Sequence, residues 1–120
     1  MKRACLSGLL LIQCQFVCAG EADVLAANVN CNAESVCSFS VSVRHDDEGW
    51  EHYANRWEIL DTSGNVLGVR ELAHPHENEQ PFTRSLGNVK VPGDITEVVI
   101  RAHDSVHQYG GRELVVKLRE

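Results

Sequence analysis

The stretch Cys37-Ser38-Phe39-Ser40-Val41-Ser42-Val43-Arg44 decides the fold. Every second residue is apolar, and the residues between are three serines and an arginine. Successive side chains of a strand point to opposite faces, so this octet predicts a half-buried strand with one core face and one hydroxyl-bearing face. No part of the chain shows a sustained helical period, and the rest of it repeats the short, alternating pattern.

Working outward, Val24 to Val29 forms a candidate strand before the octet. After it, Ala54 to Asp61 places Trp57 and Ile59 inward and Arg56 and Glu58 outward. The turn Thr62-Ser63-Gly64-Asn65 returns the chain as a hairpin strand over Val66 to Leu72. Pro75 and Pro81 forbid central pairing in 73–81. Further strands follow over Phe82 to Val91, over Ile95 to His103 with Val98, Ile100 and Ala102 on one face, and through Leu114, Val116 and Leu118. Trp57 reads as the large central core side chain, Phe82 as a plug at the core end, and Arg84 as the partner of a nearby Glu. Seven short strands separated by Gly, Asn, Asp and Pro predict an all-β protein, an antiparallel seven-stranded β-sandwich with immunoglobulin-like topology.

The 120 residues hold one core, and a formal charge of −6 argues against nucleic acid, whose binders need basic stripes. Residues 1–20 read as a signal peptide: Lys2 and Arg3, an apolar run from Ala4 to Val17, then the small residues Cys18, Ala19, Gly20 and Ala22. Cleavage after Gly20 or after Ala22 fits, with a lipid-bearing Cys18 as the rival, and 21–120 is the β-sandwich domain. The apolar run is too short and too broken by Gln13 and Gln15 to span a bilayer, so no transmembrane segment is expected in the mature form. The expected location is the periplasm or the extracellular space. Of five cysteines, Cys31 and Cys37 fall in the domain and are expected to form a disulfide across a short polar turn.

Six histidines fall in the domain, in and around its loops: His45, His52, His74, His76, His103 and His107. Asp46, Asp47, Glu48, Glu77, Glu79 and Asp104 lie among them as oxygen donors. Imidazole and carboxylate without thioether suit one divalent transition metal such as Zn, Cu or Fe. Two sites can be drawn. In one, His74 and His76 flank Pro75, completed by His103 or His107. In the other, His45 and His52 bracket an acidic loop, completed by Asp104 and His107. The ordinary alternative is that most of these rings serve structural roles, with His103 pairing with Glu58 across the sheet. No nucleophile elbow or phosphate loop is present, and no catalytic residue is assigned. Trp50, Tyr53 and Tyr109 are candidate aromatic contacts at a sandwich end.

His45, then His52-Tyr53 and Trp57-Glu58-Ile59, together with Val98-Val99-Ile100-Arg101-Ala102 leading into Asp104-Ser105-Val106-His107, resemble two segments of the superoxide reductase (desulfoferrodoxin) family. The resemblance implies an immunoglobulin-like sandwich holding ferrous iron by four imidazoles and one thiolate. Carried over, His45, His52 and His107 match three of the imidazoles, and Asp104 stands where the thiolate would be.

The functional expectation is an exported, non-enzymatic binding protein with a His-based divalent metal site, its ligand a metal ion or small molecule. His74, His76, His103 and His107 are the first candidates, and Asp104, His45 and His52 the second. Two alternatives stay open: a mononuclear metal redox enzyme distantly like superoxide reductase, and a metal-free module with a protein or glycan partner.

Overall fold

Alternation along the chain produces two facing sheets. In the computed structural model, which describes residues 20–119, the strands are β1 (Asp23–Cys31), β2 (Val36–Arg44), β3 (Ala54–Leu60), β4 (Val66–Glu71), β5 (Phe82–Lys90), β6 (Glu97–Asp104) and β7 (Leu114–Lys117). One sheet has the order β1-β2-β5 and the other β4-β3-β6-β7, with every pairing antiparallel. The chain crosses between sheets after β2, β4 and β5, so the expected seven-stranded, immunoglobulin-like sandwich is the fold. In the constant-type arrangement the fourth strand lies beside the fifth; here it pairs with the third. The expected leader, apart from Gly20, lies outside the described residues.

Inward-facing residues of both sheets make one core. Trp57, Phe39, Phe82, Ile59 and Ile100 are its largest fully buried side chains. Each such side chain contributes on the order of 1.5–3 kcal/mol by leaving water. The opposite face of β2 is polar, and Ser42 Oγ lies 2.7 Å from Thr83 Oγ1 on β5. The Cys31–Cys37 disulfide closes the β1–β2 turn.

Two details differ from the sequence reading. Ile95 is not in β6, because its N–H donates to the Pro92 carbonyl in a turn. Glu58 is buried rather than solvated, held by Arg56 Nε and Arg101 Nε at 2.9 Å each and by the Tyr109 hydroxyl at 2.8 Å. Burial alone would push the Glu58 pKa up, but the hydrogen bonds from Arg56, Tyr109 and Arg101 outweigh it and hold the carboxyl below the usual range. His103 therefore meets Asn55 Oδ1, at 2.6 Å, instead of Glu58. Arg84 pairs with Glu79 at 3.1 Å.

Candidate metal centre

The core face of β2 does not stop at the strand end. Cys37, Phe39, Val41 and Val43 alternate inward, and His45 is the next residue in that register, with none of the five more than 2% exposed. On β6 the inward series Val98, Ile100, Ala102 continues to Asp104, which is fully buried. Asp104 sits opposite Ala54 on β3, where the register slips before Arg56; such bulges re-aim side chains at sheet rims. An imidazole and a carboxylate thus replace hydrophobes at one end of the core.

The connecting loops supply the rest. Between β2 and β3 the chain turns through Gly49 (φ 85°), and the Glu48 N–H donates to the His52 carbonyl at 2.7 Å. This turns the His52 ring toward His45, with ring centroids 4.8 Å apart. After β6, two backbone hydrogen bonds of 3.0 Å between Asp104 and Gln108 close a turn that carries His107. The His107 ring lies 5.1 Å from that of His52.

His45, His52 and Asp104 can each direct one donor atom to a common point, with these atoms all within 4.8 Å of one another. His45 Nε2 is 3.8 Å from Asp104 Oδ2, and His52 Nε2 is 3.5 Å from Asp104 Oδ1. The Gly20 carbonyl oxygen enters the same space, 3.0 Å from His45 Nε2 and 3.3 Å from His52 Nε2. Ligands around a tetrahedral metal with bonds of about 2.0–2.1 Å stand about 3.4 Å apart, and the four Nε2-to-oxygen separations bracket that value.

What surrounds these donors decides their chemistry. His45 Nδ1 faces Asp47 Oδ1 at 2.5 Å, and His52 Nδ1 faces Glu48 Oε1 at 3.0 Å. Asp47 also accepts from Ala54 N at 3.0 Å and His76 N at 2.6 Å. A carboxylate only accepts, so Nδ1 of each ring donates to it, and in that tautomer of a neutral ring Nε2 is the nitrogen left to act as a ligand. That is the carboxylate–histidine arrangement that orients metal-binding imidazoles. Asp104 Oδ1 accepts from Val106 N at 2.8 Å and His107 N at 2.6 Å, while Oδ2 is buried without a hydrogen-bond partner among the described residues. Both Nε2 atoms thus stand opposite oxygens that only accept.

The other expected candidates lie elsewhere. His74 and His76 approach each other, ring centroids 4.7 Å apart, and His76 stacks on Phe82 at 4.2 Å. Burial, then the charge of Arg84 and the neighbouring His74, lower the His76 pKa. His103 occupies the outward face of β6 against Asn55 and Tyr109, and burial, then the charge of Arg56, lower its pKa. Among the donors weighed from the sequence, Asp47 orients a ring from behind rather than facing the common point. Gly20 escaped that reading because a main-chain carbonyl leaves no mark in residue type. Trp50 is 66% exposed and packs edge-on to Tyr53, whereas Tyr109 lies under Arg101 at 3.9 Å.

No family model matches the chain. A Halomicrobium mukohataei protein named "Putative lipoprotein" is 42% identical over 96 residues, which cover 80% of this chain and 47% of that protein. The chain thus spans about half the length of the curated relative it matches. No solved structure matches.

Proposed function

We propose that this is an exported β-sandwich protein that binds one divalent transition metal at His45, His52 and Asp104, with His107 beside them. One observation carries the reading: the Nε2 atoms of two imidazoles held from behind by carboxylates, a buried Asp104 oxygen without a hydrogen-bond partner among the described residues and the Gly20 carbonyl oxygen converge on one point. Buried acceptors left facing one another cost free energy. A divalent cation at the common point would satisfy these groups together. Nitrogen and oxygen donors suit Zn(II), Cu(II) or iron; the domain's two cysteines are tied up in the disulfide. The relative's name supports a cell-envelope or exported location, with Cys18 as the anchoring residue in the lipid-bearing alternative.

A second reading, a mononuclear redox centre, draws on the partial exposure of the His52 side chain, 17%, beside the common point. A metal there would be reachable by a small ligand, as catalytic sites are and closed structural sites are not.

Elemental mass spectrometry of the protein recovered from its native exported form tests the metal reading. One equivalent of metal, lost in His45→Ala and His52→Ala, is the expected result. Metal-free protein whose thermal stability ignores added Zn(II), Cu(II) and Fe(II) would overturn it. Reversible one-electron cycling of the bound metal would favour the redox centre, and its absence the binding protein.

A further inference from the structure

The segment from Gly20 to Asp23 is fitted to the turn that carries His107. Gly20 lies so close to the His107 ring that any Cβ there would collide with it. Glu21 packs against Gly110, and the Ala22 carbonyl against Gly111, where a Cβ would again collide. Asp23 Oδ1 accepts from Arg112 N at 2.7 Å, and Val24 N donates to Arg112 O at 2.8 Å. Ala22 is only 2% exposed and belongs to the core. Cleavage after Ala22 would remove a core residue, and cleavage after Gly20 would remove the Gly20 carbonyl oxygen that is aimed at both imidazoles.

We infer that the Gly20 main-chain carbonyl is a ligand of the metal site, so that the mature chain begins at or before Gly20. The inference rests on the metal reading above. Neutral carbonyl oxygen is a hard donor suited to a divalent cation beside a carboxylate and imidazoles. Its separations from the two Nε2 atoms, 3.0 and 3.3 Å, lie close to the spacing of neighbouring ligands on a shared ion. Glycine at this position allows the backbone the close approach to His107 that a side chain would prevent. Processing and metal loading are thereby coupled, because the same peptide group decides both.

The test compares three chains, one beginning at Ala19, one at Glu21 with a free amine, and one at Glu21 with an N-terminal acetyl group. All retain the seven strands and the packed Ala22. Zn(II) binding is followed by calorimetry, and circular dichroism checks the fold. The Ala19 chain is expected to bind tightly and the free-amine chain at least about tenfold more weakly, since losing a ligand costs no less than losing a group behind one. Acetylation returns a carbonyl oxygen to the same place and is expected to restore binding. Equal affinity in all three chains overturns the inference while leaving the metal reading standing, and so does a loss that acetylation does not repair. Absence of Zn(II) binding in all three overturns both. The intact mass of the natively exported protein is expected to place the N-terminus at or before Gly20; a start at Glu21 or later overturns the coupling.

Discussion

The Asp47 carboxylate holds the imidazole of His45 from behind, Oδ1 to Nδ1 at 2.5 Å, with both side chains essentially buried. Asp47 thereby decides which nitrogen of His45 faces the common point. It also joins three parts of the chain, since it accepts from the backbone of Ala54 at the start of β3 and of His76 in the loop before β5. Asp47→Asn offers one amide donor where three donors now converge. The expected result is a loss of about 2 kcal/mol in stability, as for a buried group left unsatisfied, and a roughly 10–100-fold loss of metal affinity. Chemical denaturation and calorimetry on the same preparation measure the two.

Asp104 separates stability from binding. Its Oδ1 is fully used by the turn, while Oδ2 faces His45 Nε2 at 3.8 Å. In Asp104→Asn an amide hydrogen would replace one acceptor of that facing pair. Metal affinity is expected to fall at least about a hundredfold, while the metal-free protein melts no lower than the parent. A melting temperature clearly below the parent's would count against acceptor crowding in the metal-free protein.

Acid sensitivity follows from His76. Its folded-state pKa lies below the ordinary imidazole value because of burial first, then the charges of Arg84 and His74, against the opposing pull of Asp47 and Glu79. In the window between the two values the unfolded chain binds more protons. Stability is therefore expected to fall as pH drops below about 6.5 and to level out once the folded ring is itself protonated. Denaturation of metal-free protein between pH 7.5 and 5 should show a shallower slope in His76→Asn than in the parent.

The outward cluster on β3 and β6 is a stability element distinct from the centre. Glu58→Gln leaves Arg56 and Arg101 without their shared carboxylate, although both guanidinium groups keep partial contact with water. A loss of about 2 kcal/mol is expected, with metal affinity unchanged. Loss of that carboxylate's charge should also remove the part of acid denaturation that sets in as pH falls through the lowered Glu58 pKa.

Reducing Cys31–Cys37 tests the separation of the two ends. The loop it closes is short, so the expected cost is about 2 kcal/mol. The nine residues of β2 run from this turn toward His45, about 25 Å at the usual rise per residue. Metal affinity is expected to be the same before and after reduction.

Alternation of apolar and polar residues, punctuated by Gly, Asn, Asp and Pro, by itself determined the sandwich: alternation marked β2, β3, β6 and β7, turn and proline signals bounded β4 and β5, and Trp57 was legible as the centre of the core. The Cys31–Cys37 bridge was equally legible, because two cysteines flanking a five-residue turn can scarcely avoid each other. The same alternation runs into His45 and Asp104, yet their being inward-facing gains meaning only when β2 and β6, in opposite sheets, end at the same rim. Local spacing favoured His74 and His76 because only Pro75 separates them, but nearness along the chain aims rings at each other and not at a third donor. Tertiary structure alone decided that His45, His52 and Asp104 share one point, that Asp47 stands behind a ring, and that the Gly20 carbonyl enters. Convergence of donors depends on how sheets pack and loops close over distances of dozens of residues, and a backbone oxygen has no residue type by which a sequence could announce it.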